Sequence, residues 1–202
     1  MRVKICGVTR VEDALAAEAA GADALGFIFA PSKRRVTLAQ AEVISAALGP
    51  FVARVGVFVD APLSAVRETV RALRLSAVQL HGHEDAAYAS ALRSHVRVIR
   101  AVPFTPNLTA EFIQTFPADA VLLDGLRPGG GEAFSWADAG ALSGLPNLIL
   151  AGGLTPATVA AGIAILNPYG VDVASGVESS PGVKDPGKIQ DFVRAAKTPA
   201  SL

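Results

Sequence analysis

Apolar and polar positions along this chain follow two alternating rhythms. Eight short runs are apolar almost throughout: "RVKIC" (2–6), "ALGFIF" (24–29), "VARVGVFV" (52–59), "AVQLH" (77–81), "VRVIRAV" (96–102), "DAVLLD" (119–124), "LILAG" (148–152) and "VDVAS" (171–175). Short runs of this kind read as strands buried on both faces. Between them lie Ala-rich stretches with helical spacing. "RVEDALAAEAAGA" puts Val11, Ala14, Leu15 and Ala19 at helical intervals, with Thr9 as N-cap and Glu12 three residues on. "TLAQAEVISAALG" opens at Thr37 and stops at Gly49, a natural C-cap residue. "APLSAVRETVRALR", "DAAYASALRS", "NLTAEFIQTF", "TPATVAAGIAIL" and "DPGKIQDFVRAAK" supply five more helices, and "SWADAGALSG" a short, weaker one.

Strand and helix alternating eight times, with short connections, predict an α/β fold with a parallel sheet. The options are a closed barrel and an open doubly wound sheet. A count of eight favours a single (β/α)8 barrel over residues 1–202, a length near the lower limit for that architecture. No change of composition marks a second domain. The Gly-rich "RPGGGEAF" after the sixth strand reads as a loop rather than a boundary.

A barrel places its active site at the C-terminal ends of its strands. The polar residues there are therefore the candidates. Cys6 ends the first strand, His81 the fourth, Asp124 the sixth, Gly152 and Gly153 the seventh, and Ser175 and Gly176 the eighth. Side chains alternate along a strand, so Gln79 and His81 share the inward face while Val78 and Leu80 face the helices. "LAGGLTPATV" runs from a strand through Gly-Gly to a helix opened by Thr155 and Pro156. Glycines let a backbone approach a ligand, and free N–H groups at a helix start favour an anion. "VASGVESSPGVKD" repeats the idea one strand later. Two such ends side by side favour a phosphate site over plain tight turns.

Other residues carry weaker signals. Asp124 taken alone reads first as a solvated loop carboxylate or a cap, and only second as a general acid or base. Cys6 alone is equally a small buried hydrophobe or a thiol that needs nearby cations to ionise. In "PSKRRVT" the ordinary reading is a solvated loop, and the functional one is a guanidinium gripping a carboxylate. Lys4 lies two residues before Cys6 and so also points inward, where it needs a partner. The first and eighth strands meet on closure, which predicts a Lys4–Asp172 ion pair below the mouth.

Composition narrows the function. The 18 basic and 18 acidic residues balance and form no block, so no footprint for nucleic acid or an anionic membrane is present. No apolar run suits a membrane span, and "MRVKICG" is not signal-like, so the cytoplasm is expected. A lone cysteine excludes an internal disulfide, and His81, His83 and His95 lack zinc spacing, so no metal is expected.

Together, "KICGVT", "GADALGFIFAPSKRRVT", "VGVFV", "VQLHG", "LLDG", "LAGGLTP" and "VDVASGVESSPGVKD" resemble, in order and spacing, the phosphoribosylanthranilate isomerase family. The resemblance spans nearly the whole chain. It implies a cofactor-free Amadori rearrangement in tryptophan biosynthesis. N-(5-phospho-β-D-ribosyl)anthranilate would become 1-(2-carboxyphenylamino)-1-deoxy-D-ribulose 5-phosphate. It implies Cys6 as general base, Asp124 as general acid, Arg34 on the anthranilate carboxylate, and phosphate near Gly152, Gly153, Ser175 and Gly176. Gln79 and His81 join them as substrate-binding candidates, in a monomer or homodimer. Two positions depart from the family pattern: Ser135 stands where an aspartate is usual, and Arg35 where many members have an aromatic. The competing readings are another phosphate-binding barrel enzyme, a non-catalytic sugar-phosphate binder and a redox sensor built on Cys6. A sensor would need a resolving thiol, and the chain has none.

Overall fold

Eight parallel strands close into a barrel in sequence order. They are β1 (Arg2–Cys6), β2 (Ala24–Ile28), β3 (Ala53–Phe58), β4 (Ala77–Leu80), β5 (Arg97–Pro103), β6 (Ala120–Asp124), β7 (Leu148–Leu150) and β8 (Gly170–Val173). The coordinates are a computed structural model that describes residues 1–125 and 134–198. The Gly-rich stretch after β6 falls almost wholly outside the described residues. The outer ring comprises α1 (Val11–Ala19), α2 (Leu38–Ala46), α3 (Leu63–Leu73), α4 (Ala86–Arg93), α5 (Ala110–Gln114), α6 (Val159–Leu166) and α7 (Pro186–Lys197). A short antiparallel hairpin, β9 (Glu178–Ser180) and β10 (Val183–Lys184), follows β8.

Strand alternation divides the core in two. Outward residues such as Val3, Ile5, Leu25, Val78, Leu80 and Leu123 join the helices in the larger apolar cluster. Inward residues Val55, Ala77, Ile99, Ala101, Leu122, Ile149 and Ala151 fill the barrel interior. Side chains there interlock in layers, so the barrel is a packed core and not a pore. Lys4 pairs in register with Asp172 where β1 meets β8, as the sequence predicts.

Several helix ends differ from expectation. Arg10, without a side-chain cap, precedes α1, because the Thr9 hydroxyl donates instead to the Gly182 carbonyl at 2.6 Å. Thr37 does cap α2, in a capping box with Gln40. That helix ends at Ala46, however, and Gly49 donates its N–H to Glu18. The helix expected from Thr155 begins at Val159, because Thr155 is held in a turn by the Thr158 hydroxyl. "SWADAGALSG" yields only a 3-10 turn, Gly140–Leu142. No helix among the described residues is long and apolar enough to cross a membrane.

Candidate active site

The C-terminal mouth of the barrel opens into a pocket. Cys6, Arg34, Gln79, His81, Asp124, Gly152, Gly153, Asp172 and Ser175 line it, with Ile28, Pro31 and Val57 among its apolar walls. The sequence candidates thus converge, except that Gly176 and Arg35 are not among the lining residues, and Arg35 is exposed.

Cys6 is buried at the end of β1, opposite Gly26 on β2. A methyl on Gly26 would lie 2.7 Å from Sγ, so the glycine makes room for the thiol. Burial pushes the thiol pKa above its ordinary value; Lys4 pulls it down, and Asp172 pushes it up again. Burial thus favours the neutral thiol, and Lys4 favours the thiolate.

Lys4 starts a polar chain across the barrel. Its Nζ donates to Asp172 Oδ1 at 2.8 Å and to Gln79 Oε1 at 2.9 Å. Burial opposes this ammonium, but Asp172 and Cys6 outweigh it and raise its pKa. An ammonium only donates, so the Gln79 oxygen must face Lys4 and the amide nitrogen must face His81. That nitrogen lies 3.2 Å from His81 Nδ1. Nδ1 of a neutral ring is then the acceptor, and Nε2 carries the proton. His81 Nε2 lies 3.5 Å from Asp124 Oδ2, while the Gly125 N–H donates to Oδ1 at 2.8 Å. Lys4 thereby sets the tautomer of the ring beside Asp124.

On the β7–β8 side, Gly152 and Gly153 turn the chain with positive φ. Ser175, Gly176 and Val177 form a 3-10 turn after β8. A Cβ at Gly176 would overlap the Leu154 carbonyl, so only glycine lets these two loops approach so closely. Among the described residues, the N–H groups of Gly152, Gly153, Ser175 and Gly176 donate to no protein acceptor. Four donors on adjacent loops can cradle an anion.

Arg34 enters from the loop after β2 and pairs with Glu178, whose side chain also meets Lys184. Sequence reasoning missed Glu178 and Lys184. The "SGVESSPGVK" stretch entered as a family motif and as a candidate phosphate turn at Ser175 and Gly176, with no role given to its Glu or Lys. Its Pro-Gly turn between Glu and Lys was a hairpin signal that could have brought the two charges together. The His81–Asp124 contact was also missed, because it joins the ends of β4 and β6 over the intervening β5.

Ionisable residues and glycine turns that converge on the mouth of a closed parallel barrel define a (β/α)8-barrel enzyme. Comparison with known proteins specifies which. A family model described as N-(5'phosphoribosyl)anthranilate (PRA) isomerase matches residues 3–195. The N-(5'-phosphoribosyl)anthranilate isomerase of Deinococcus radiodurans is 47% identical, covering 98% of this chain and 97% of that protein. The crystal structure of the Thermus thermophilus phosphoribosyl anthranilate isomerase superposes with a TM-score of 0.91 at 48% identity, covering 96% of this chain and 98% of that one. A further isomerase structure, in complex with reduced 1-(o-carboxyphenylamino)-1-deoxyribulose 5-phosphate, matches at TM-score 0.84 and 38% identity over 98% of each chain. The chain belongs to the phosphoribosylanthranilate isomerase family. Its function is that aldose–ketose isomerisation in tryptophan biosynthesis.

Proposed function

We propose that Asp124 and Cys6 carry out the isomerisation as general acid and general base on a substrate held at both ends. The observation that supports this most is that both residues, from β6 and β1, line one pocket with Arg34 and the two glycine turns. The phosphate of N-(5-phospho-β-D-ribosyl)anthranilate sits against the N–H groups of Gly152, Gly153, Ser175 and Gly176. The anthranilate carboxylate lies on the Arg34 guanidinium. The ribose then spans the space between Asp124 and Cys6.

Asp124 gives its proton to the furanose ring oxygen. The C1′–O bond breaks as the anthranilate nitrogen forms an iminium with C1′. That iminium acidifies the C2′ proton, so a modest base suffices. Cys6, ionised once its thiol proton has passed to solvent, removes it, leaving an enolamine. Protonation at C1′ and loss of the C2′ hydroxyl proton give the ketone. C1′ is reduced and C2′ oxidised within one molecule, so the electrons balance without a cofactor. Positioned proton transfers of this kind are each worth roughly 10²- to 10⁴-fold. Gln79 and His81 border the sugar, and His81 directs its Nε2 proton toward Asp124.

Loss of anthranilate fluorescence on turnover tests this reading. Cys6→Ala and Asp124→Ala should each slow the loss by roughly 10²-fold or more. A Cys6→Ala, Asp124→Ala double variant that turns over at the native rate would defeat it.

A further inference from the structure

We infer that Glu178 is a positioning residue that aims Arg34 at the aromatic carboxylate. This inference rests on the proposed role of Arg34.

The geometry begins with the guanidinium. Arg34 Nε donates to Glu178 Oε1 at 2.7 Å, and Nη2 donates to Oε2 at 2.9 Å. This side-on pairing uses two of the five N–H donors and leaves the Nη1–Nη2 end without a partner among the described residues. A planar carboxylate fits that end in the same bidentate manner. The aliphatic stem is confined as well: Gly7 has φ of 70°, and a Cβ there would lie 2.5 Å from Arg34 Cδ.

Glu178 is itself fixed. Oε1 accepts from Lys184 Nζ at 3.1 Å and from the Gly182 N–H at 3.2 Å. Lys184 is buried, and its Nζ also donates to the Ala174 carbonyl at 2.9 Å. The β9–β10 hairpin therefore serves as a buttress behind Arg34. Two cations, Arg34 and Lys184, share one anion, Glu178. The Arg34–Glu178–Lys184 triad carries a net positive charge, which suits a substrate carboxylate. Burial works against the Glu178 carboxylate, but Arg34 and Lys184 outweigh it and hold its pKa below the ordinary value, so it is ionised at neutral pH.

The test compares the natural substrate with its aniline counterpart, which lacks the carboxylate. Glu178→Gln keeps the shape and removes the charge. It should raise KM for the natural substrate about ten-fold while kcat changes less than about two-fold. Selectivity for the natural substrate over the aniline analogue should fall by the same factor. In an Arg34→Ala background Glu178→Gln should add almost nothing, and Glu178→Asp should recover part of the loss. Equal loss on both substrates with Glu178→Gln, while Arg34→Ala still discriminates between them, would overturn the inference and leave the Arg34 reading intact. Equal loss on both substrates with Arg34→Ala would overturn both.

Discussion

Lys4 and Asp172 face each other at 2.8 Å inside the barrel, one layer beneath Cys6. Both side chains are buried, and Gln79 Oε1 accepts a further hydrogen bond from Lys4 Nζ. Removing one partner of such a pair strands the other charge. Lys4→Met should therefore destabilise the protein by about 3–5 kcal/mol, read by denaturant unfolding. Adding Asp172→Leu should restore much of the loss. A single variant as stable as the native protein would contradict a buried charge pair.

The lone cysteine allows the thiol to be titrated by alkylation. Burial favours the neutral thiol, so the folded-state pKa lies above the ordinary value and the thiolate appears only as the pH rises past it. The alkylation rate of the native protein by a neutral haloamide should have its midpoint above roughly pH 8.5. Lys4→Met removes a cation that lowers this pKa, so the midpoint should move higher still. A midpoint at or below neutrality would show a thiolate at rest.

Glu178 supplies the acid-side dependence. Its folded pKa lies below the ordinary carboxyl value, so its contribution is full above that value and fades as the pH falls through the folded one. Native stability should fall on acidification, and Glu178→Gln should flatten that limb in unfolding curves taken across the acid range. An unchanged slope would mean that the Arg34–Glu178–Lys184 cluster contributes nothing to folding.

His81 should act through Asp124. With Lys4 and Gln79 fixing its tautomer, His81→Ala should lower kcat by about ten-fold, the scale of one hydrogen bond to a charged group. In an Asp124→Ala background the same change should cost little. Additive losses would separate the two residues.

The barrel was legible in the sequence because eight apolar runs of strand length alternate with helical ones, and short βα connections leave few other topologies. Lys4–Asp172 was legible too, since strand alternation and closure put both side chains on one inner layer. The helix starts after Thr9 and Thr155 were not. Each threonine makes a competing contact, with the Gly182 carbonyl and the Thr158 hydroxyl, that local spacing does not reveal. Arg34 and Arg35 were equivalent as adjacent letters. The Glu178 carboxylate, brought in from 144 residues away, separates them in space. The residues around Arg34 therefore escaped a reading that followed one strand end at a time.

The central assignment gives Asp124 the ring opening and Cys6 the C2′ proton. Deuterium at C2′ separates these steps. Cys6→Ser weakens the base, so breaking the C2′ bond should become more rate-limiting and the isotope effect on kcat should rise above the native value. Asp124→Asn impairs ring opening, so the isotope effect should fall toward unity. Opposite movements are the predicted result; movement of both variants in the same direction, or in neither, would contradict the account.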